Sequence, residues 1–282
     1  MTDFAVHLHP FSVAVNNHCR ALAQAVHALY PSAIVRKIDT AHLYDFTLDV
    51  KRRFTGRSWP FHVSAGQQHF RMSEQKQLVP IFEWGINWCV ASYQHQYLAI
   101  HAAVLERDGK TLVLPAPPGA GKSTLCAVLM LEGWRLLSDE MCLIAPDSGN
   151  IIPCVRPVSL KNRSLQLIKQ WYPAVTLQQI TAGTPKGTVG FLAPSPQSWQ
   201  QYQQVAAPCI VIFPQYDAAR IILHLSEVSK ADAFMHLAQN SFNYAVLAEQ
   251  GFNCLADFIS RITAYRMEYA DIEQVLAALD AL

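Results

Sequence analysis

The chain has 282 residues and a formal net charge of +1, and 51% of its residues are hydrophobic whereas only 15% are charged. This composition supplies enough apolar side chains for a large core, which excludes a disordered protein, and it lacks the excess of Lys and Arg that a general nucleic-acid binder needs. Because no apolar run approaches the ~20 residues that span a bilayer and residues 1–10 do not resemble a signal peptide, we expect a cytoplasmic protein with neither a membrane nor a nucleic-acid partner.

Residues 1–95 predict a mixed α+β region of unknown role. They carry nine Lys or Arg and six Asp or Glu, whereas the remaining residues carry 13 and 15. Residues 4–15 alternate like a strand, and apolar residues at helical spacing predict a helix over 19–30 that Pro31 ends. A broad apolar face predicts a second helix over 78–97. Between the two helices, short strands are predicted over 44–51, 60–63 and 69–72.

Residues 96–282 predict an α/β region. Strands are predicted over 97–105 and 111–114, joined by the hairpin turn Asp108-Gly109, and a helix over 122–132 ends at Gly133. A strand over 135–137 completes a βαβ unit of the kind found in parallel sheets, and a further strand is predicted over 141–145. Residues 181–207, rich in Gln, Pro, Gly and Ser, predict a surface loop. The later elements are strands over 209–213 and 221–224 and helices over 230–237, 244–250, 255–262 and 271–282, the last with Asp271 as its N-cap.

The seven cysteines are scattered along the chain, and no two of them form a C-x-x-C pair. A disulfide framework or a cysteine zinc site would need closer grouping. We therefore expect these residues to be buried, small apolar side chains.

The strongest functional motif is the segment 116–124, which has the sequence APPGAGKST and lies between a predicted strand and a predicted helix. In this context backbone N–H groups and a helix N-terminus surround phosphate oxygens, and glycines allow the tight turn. Lys122 is expected to reach the β- and γ-phosphates and Ser123 to bind Mg²⁺. Ala116 stands where the usual motif has its first glycine, and a simple glycine-rich turn is the alternative. The residues expected to bind ATP are Pro118, Gly119, Ala120, Gly121, Lys122, Ser123 and Thr124.

Two carboxylates, Asp139 and Glu140, follow the predicted strand after the helix. An enzyme with a phosphate loop needs an acid at the end of a neighbouring strand to hold Mg²⁺ or its water. Adjacent side chains on an extended backbone point in different directions, so one acid could hold the metal while the other accepts a proton. Asp139 is the metal candidate, and which of the two acids is the base stays open. A polar turn between strands is the alternative.

His101 lies in an otherwise apolar strand before the loop, where a core histidine is the alternative to a site residue. His101, Gly121-Lys122-Ser123 and Asp139-Glu140 occur in the order and spacing of the HPr kinase/phosphorylase family. Residues 97–145 resemble still more the HPr-related kinase A group. The resemblance implies a P-loop catalytic domain over 96–282, with a fold like that of HPr kinase and phosphoenolpyruvate carboxykinase.

This resemblance also implies an activity and its site residues. The chain would be an ATP- and Mg²⁺-dependent kinase that transfers the γ-phosphoryl group to a Ser or Thr hydroxyl of a peptide or small protein. His101 would lie near the transferred group, while the acidic pair would bind metal and deprotonate the acceptor. Because members of the kinase A group tend to be encoded beside PqqD-like peptide-binding proteins, such a protein is an expected partner and peptide natural-product processing an expected context. The oligomeric state stays open, with a homo-oligomer among the alternatives.

Three positions depart from the family pattern, and the loss of an acid and of an arginine among them argues against phosphorylase activity and against HPr as the substrate. Glu140 stands in place of an Asp, the segment 156–163 has no acid, and Phe242 stands in place of an arginine. From the sequence, two other functions therefore stay open. These are a non-catalytic nucleotide-binding partner of a peptide-processing assembly and a small-molecule kinase.

Two sets of basic residues could have a role in binding. The N-terminal set could bind an acidic peptide, and the second set could replace the positive charge of the missing arginine. Solvated surface cations are the alternative for both sets. The first set lies in the N-terminal region and contains Lys51, Arg52, Arg53 and Arg57 beside Trp59. The second set contains Arg156, Lys161, Arg163 and Lys186.

Overall fold

The computed structural model describes residues 3–52, 61–72, 74–117 and 119–282. The chain folds into two compact units. Unit 1 contains the described residues up to Gln94 together with Arg156–Ala193, and unit 2 contains those of His95–Val155 and Pro194–Leu282. The sequence predicts a boundary at residue 95 but places residues 156–193 in the second region, whereas in the structure they fold with the N-terminal residues.

Helices and strands alternate through both units, which confirms the predicted mixed α/β content. The elements before residue 95 are β1 (Phe4–Leu8), β2 (Phe11–Asn17), α1 (Arg20–Leu29), β3 (Val35–Arg36), β4 (Phe46–Arg52), β5 (Phe61–Ala65), β6 (Gln68–Met72) and α2 (Leu78–Tyr93). Those of residues 95–155 are β7 (Leu98–Ile100), β8 (Ala102–Arg107), β9 (Lys110–Pro115), α3 (Lys122–Leu131), β10 (Arg135–Ser138), β11 (Cys142–Ile144) and β12 (Ile151–Ile152). Residues 156–193 form β13 (Val158–Lys161), α4 (Arg163–Trp171), β14 (Gln178–Thr184) and β15 (Gly187–Leu192). The remaining elements are α5 (Pro196–Gln200), β16 (Ile210–Tyr216), β17 (His224–Glu227), α6 (Lys230–Gln239), α7 (Tyr244–Ser260), β18 (Thr263–Tyr269) and α8 (Ile272–Ala281).

Unit 1 is built on a six-stranded sheet with the order β3-β1-β2-β4-β5-β6 and a three-stranded sheet with the order β13-β15-β14. The helix α2 packs on β5, whose residues Phe61, Val63 and Ala65 alternate as buried positions. Both predicted helices and the three short strands are confirmed. The single strand predicted over 4–15 is wrong, because β1 and β2 form an antiparallel hairpin that reverses at His9-Pro10.

The surface loop predicted over 181–207 is also wrong, since this range contains part of β14 and all of β15 and α5. The small and polar residues of this range form tight turns and allow close packing between strands and helices. The buried Thr181 and Thr184 donate hydrogen bonds to the carbonyls of Lys76 (2.8 Å) and Gly187 (2.7 Å). At Gly190, a Cβ would lie only 2.9 Å from the Leu165 side chain, so the strand packs closely on α4 there.

Unit 2 is built on a six-stranded sheet with the order β10-β8-β9-β16-β18-β17. The predicted hairpin turn is confirmed between β8 and β9, with Asp108 (φ 54°) and Gly109 (φ 77°) at the turn. The single strand predicted over 97–105 is wrong, because its first part is β7, which belongs to another sheet, and β8 begins at Ala102. The predicted βαβ unit is β9-α3-β10, in which the crossover skips β8 because β10 pairs with β8 rather than with β9. A small second sheet has the order β12-β11-β7.

One face of this large sheet packs against α6 and α7. The shared core is formed by buried residues that include Val104, Val113, Val211, Leu237, Leu255, Phe258 and Ala264. The helices predicted over 244–250 and 255–262 are one helix, α7, with a kink at Ala248. The helix over 271–282 is confirmed as α8, and the side chain of Asp271 accepts a hydrogen bond from the Glu273 N–H at 2.9 Å. The strand predicted over 221–224 is displaced, because β17 begins at His224.

Strand direction brings several chain segments to one edge of the large sheet. The strands β9, β16 and β18 are parallel, and β10 runs the same way because β8 is antiparallel to both β9 and β10. The carboxyl ends of β9, β10, β16 and β18 therefore meet at the edge where β8 begins. Ligands of open α/β sheets bind outside the carboxyl ends of the strands, so this edge is the expected position of a site.

Among the described residues, no helix combines the length and the apolar character needed to cross a bilayer.

Candidate functional site

The glycine-rich loop (residues 116–121) connects β9 to α3 at this edge of the sheet. Gly119 (φ 92°) and Gly121 (φ 86°) both have left-handed backbone conformations, which glycine adopts without a Cβ penalty. A Cβ placed on Gly119 would meet no described atom outside its chain neighbours within 4 Å, so the space beside the loop is open to a ligand. The Ala120 N–H donates to the Pro117 carbonyl at 3.3 Å and tightens the turn. Pro118, which the sequence predicts as a ligand-binding residue, lies outside the described residues.

The first turn of α3 follows the loop directly. The first N–H groups of a helix have no intrahelical partner, and the helix dipole favours an anion beside them. Lys122, Ser123 and Thr124 form this turn, with Gly121 as the N-cap. The half-buried Ser123 hydroxyl hydrogen-bonds no described residue. This end of α3 therefore has the donor set that a phosphate group needs.

Lys122 links the loop to the end of β10. Only 7% of its surface is exposed, and its Nζ donates a hydrogen bond of 2.7 Å to the main-chain carbonyl of Asp139. A buried ammonium needs such a partner to offset its lost hydration. An ammonium has three donors, so the carbonyl leaves two for a ligand.

Asp139 is turned back toward α3. It is 6% exposed, and its side chain shares a hydrogen bond with the thiol of Cys126 on that helix. Burial raises the pKa of Cys126 well above its usual range. The negative charge of Asp139 adds to this effect, the charge of Lys122 opposes it, and the hydrogen bond adds further. The thiol therefore stays protonated and serves as the donor to the carboxylate.

Glu140 is turned the other way, toward His101. The His101 Nε2 lies 3.6 Å from the Glu140 Oε1, and the two side chains are 18% and 24% exposed. His101 lies in the bend between β7 and β8, where its backbone N–H donates to the Asn240 carbonyl at 2.8 Å. Its ring centroid lies 5.7 Å from that of Phe242. Partial exposure and a carboxylate neighbour favour a site residue over a core histidine.

Two tyrosines at this edge are missed by sequence reasoning. The hydroxyl of Tyr269 would lie 3.4 Å from a Cβ on Gly121, and the Cβ of Tyr216 would lie 4.0 Å from it. The two rings meet edge to face, with centroids 5.9 Å apart. Burial, and next the neighbouring Tyr216, raises the pKa of Tyr269 to about 12, so its hydroxyl is a donor at neutral pH. The rule that sites lie at carboxyl ends of strands could have found them, but the strand predicted over 209–213 stops short of Tyr216 and β18 is not predicted at all.

The basic residues that the sequence offers as replacement charge belong to unit 1, whereas the loop belongs to unit 2. Arg156 is buried and pairs with Glu83, with its Nη1 3.5 Å from the Glu83 Oε2. The Nζ of Lys186 lies 4.6 Å from the ring centroid of Trp84. Lys161 is half-buried and Arg163 is exposed.

The N-terminal basic cluster is only partly described. Lys51 is exposed and lies 3.6 Å from Asp49, an acid of its own strand. Arg53, Arg57 and Trp59 lie outside the described residues, as does the side chain of Arg52.

The described residues contain no group of three or more His, Cys, Asp or Glu side chains placed to hold a metal ion. A Mg²⁺ ion usually keeps several waters and binds through one or two protein ligands plus substrate phosphates. Ser123 and Asp139 fit that pattern in number and in chemistry, because both are oxygen donors at the loop. They do not make a complete protein cage.

A cavity of about 980 Å³ lies elsewhere in unit 2. Its lining includes Tyr97, at the start of β7, and the carboxylates of Asp147, Glu249 and Asp257. His101 follows the other end of β7, and the glycine-rich loop does not contribute to the lining. The sheet edge, rather than this cavity, holds the predicted site residues.

Comparison with protein-family models gives a partial match. The family model described as "ScmC: SynChlorMet cassette protein ScmC" matches residues 69–157. Over these residues the chain is similar to ScmC. The matched segment is just under a third of the chain and contains His101, the glycine-rich loop, Asp139 and Glu140, but not Tyr216 or Tyr269. The family description names a cassette and no reaction. No curated protein matches the chain.

Proposed function

We propose that this protein is an ATP-dependent kinase that transfers the γ-phosphoryl group to a Ser or Thr hydroxyl of a peptide or small protein. The observation that carries the proposal is the bond from Lys122 Nζ to the Asp139 carbonyl, which holds the start of α3 against the end of β10. The phosphate-binding features of the loop and the His101–Glu140 pair therefore share one sheet edge. Nucleotide and acceptor would meet there.

The loop and the first turn of α3 would bind the phosphates through backbone N–H groups, and Lys122 would neutralise their charge. Ser123 and Asp139 would hold Mg²⁺, which would supply further charge neutralisation. In the transfer, the acceptor oxygen forms a bond to the γ-phosphorus. The bond from that phosphorus to the β–γ bridging oxygen breaks, and ADP leaves with the electron pair.

Glu140 is the proposed base, and its carboxylate takes the proton of the acceptor hydroxyl. It is more exposed than Asp139, whose carboxylate is held by the Cys126 thiol. His101 lies 3.6 Å from Glu140 and would orient it toward the acceptor. The Phe242 ring also lies beside His101, with its centroid 5.7 Å away.

The finer fold and the biological setting are part of the same proposal. The resemblance of residues 97–145 to the HPr-related kinase A group supports a P-loop domain of the HPr kinase type, and it supports a PqqD-like peptide-binding partner. The cassette named in the family description supports work alongside other proteins. All seven cysteines are free thiols, which supports a location in the reducing cytoplasm.

The test is phosphoryl transfer from [γ-³²P]ATP to a degenerate Ser/Thr peptide library and to peptides that co-purify with the protein. Glu140→Gln keeps the shape of the side chain and removes the base, so the rate of labelling is expected to fall about 10²–10⁴-fold while ATP still binds. The matched control is Glu132→Gln, an exposed position at the end of α3, which should leave the rate unchanged.

Two outcomes would favour other functions. Tight ATP binding by the wild-type protein without label in any peptide would favour a non-catalytic nucleotide-binding protein. Phe242, in place of an arginine, is the residue that supports this alternative. Label that appears in a small metabolite of a cell extract, and not in peptide, would favour a small-molecule kinase.

A further inference from the structure

The glycine-rich loop lies between two chemically different walls. On one side are β8 and β10, which bring His101, Asp139 and Glu140 to the sheet edge. On the other side is β16, which pairs with β9 as far as Val211↔Val113 and then continues beside β18 to Tyr216. The first wall is charged, whereas the second ends in aromatic rings.

The end of β16 extends past the end of β9 and therefore lies beside the loop that follows β9. The register pairs Tyr216 with Tyr269, so both rings stand on the same face of the sheet, next to Gly121. Tyr269 is 5% exposed and its hydroxyl would lie 3.4 Å from a Cβ on Gly121, whereas Tyr216 is 45% exposed. Tyr269 thus supports the loop, and Tyr216 offers an aromatic surface to whatever the loop binds.

The chain after Tyr216 fixes the position of that ring. The Asp217 N–H donates to the Tyr269 carbonyl at 2.9 Å, which ties the end of β16 to the end of β18. The side chain of Gln274 on α8 accepts from the Leu223 N–H at 2.7 Å and donates to the Ile221 carbonyl at 3.1 Å. A ring on such a fixed rim loses little conformational entropy when it binds a ligand.

These two walls define a direction for a phosphate chain. Lys122 points from the loop toward the Asp139 carbonyl, so the terminal phosphate belongs on the side of His101 and Glu140. The other end of the phosphate chain must then leave the loop toward β16. A nucleoside triphosphate carries a planar base at that end, and bases stack on aromatic rings.

We propose that Tyr216 is the nucleobase-stacking residue of this protein and that the phosphate donor is therefore a nucleoside triphosphate rather than a polyphosphate. The inference rests on the proposed function, because it requires the loop to bind phosphate. It assigns Tyr216 the nucleoside end of the ligand, and it leaves the phosphates to the loop and Lys122.

The experiment is isothermal titration of the full chain with Mg²⁺·ATP and with Mg²⁺·tripolyphosphate. Tyr216→Ala is expected to weaken ATP binding about tenfold, which corresponds to about 1.4 kcal/mol, and to leave tripolyphosphate binding unchanged. Tyr216→Phe keeps the ring and should bind ATP within twofold of wild type. The matched control is Phe252→Ala, an exposed aromatic residue on α7 (53% exposed), which should change neither titration.

The possible failures are distinguishable. Wild type that binds neither probe overturns the proposed function and the inference with it. If the wild-type protein binds tripolyphosphate as tightly as ATP, the result is compatible with phosphate binding by the loop but overturns the role of Tyr216. The same follows if Tyr216→Ala weakens both probes equally, because the ring then only supports the loop, or if it weakens neither.

Discussion

At the scale of single residues, the site is organised by side chains that hold one another. Lys122 is fixed by the Asp139 carbonyl, Asp139 by the Cys126 thiol, and Glu140 lies beside His101. Lys122, Asp139 and Glu140 belong to local motifs, which is why the sequence predicts them as site residues, whereas His101 is selected by the family resemblance. Cys126 and the two tyrosines carry no motif of their own, since their roles depend on where other elements place them.

Tyr269 allows a pH test of the packing around the loop. The pKa of its phenol is raised to about 12 by burial, whereas an unfolded chain has a value of about 10. The folded state thus holds the proton more tightly. The resulting stabilisation is complete below pH 10 and is lost as the pH rises through about 12.

We therefore expect the free energy of unfolding of wild type to fall by roughly 2 kcal/mol more than that of Tyr269→Phe between pH 9 and pH 12. Urea titrations of both proteins measure this difference. Absorbance at 295 nm should show one late-ionising phenol in wild type that the variant lacks. If the free energies of unfolding of the two proteins change equally with pH, the phenol of Tyr269 is not buried as described.

At the scale of elements, α7 shows what a periodic pattern can and cannot reveal. The helical pattern of residues 244–262 is visible in the sequence, but the kink residue is an alanine with φ 49° and ψ −121°. Nothing about an alanine predicts a break.

Glycine substitutions in α7 test this strain. Ala248→Gly removes the steric cost of the left-handed backbone and should stabilise the protein by about 1 kcal/mol, net of the added chain entropy. Ala256→Gly is the matched control in the regular part of the helix and should destabilise by about 1 kcal/mol. Urea unfolding measures both changes. Equal destabilisation by the two variants would mean that Ala248 is not strained.

The strand β18 is an element that local sequence patterns do not reveal. Its buried residues are Ala264, Met267 and Tyr269, which do not alternate strictly, so period-2 analysis does not detect it. The strand is defined by parallel pairing with β16, more than forty residues earlier in the chain. Because Tyr216 and Tyr269 depend on that pairing, the aromatic wall of the site could not be predicted from local patterns.

At the scale of the whole molecule, the two units are not consecutive stretches of chain. Residues 156–193 fold with unit 1 through contacts such as Arg156 to Glu83 and Gln77 to the Gly183 carbonyl. Charge balance and local pattern predict the boundary near residue 95. They cannot predict that residues 156–193 fold with the N-terminal residues. The loop and its acids were predictable, since a strand, a glycine-rich turn and a helix are contiguous.

The central claim is that the glycine-rich loop of unit 2 binds a nucleoside triphosphate through Lys122. A ligand that binds only the folded state stabilises it, by about 2.7 kcal/mol at a hundred times its dissociation constant. The decisive variant is Lys122→Met, which keeps the length of the side chain and removes its charge. Lys110→Met, at an exposed position at the start of β9, is the matched control.

The most direct test is the free energy of unfolding of the full chain with and without saturating Mg²⁺·ATP. The account predicts a stabilisation of about 2.7 kcal/mol for wild type and for Lys110→Met, and less than about 1 kcal/mol for Lys122→Met. An equal stabilisation of Lys122→Met, or no stabilisation of wild type, would contradict it.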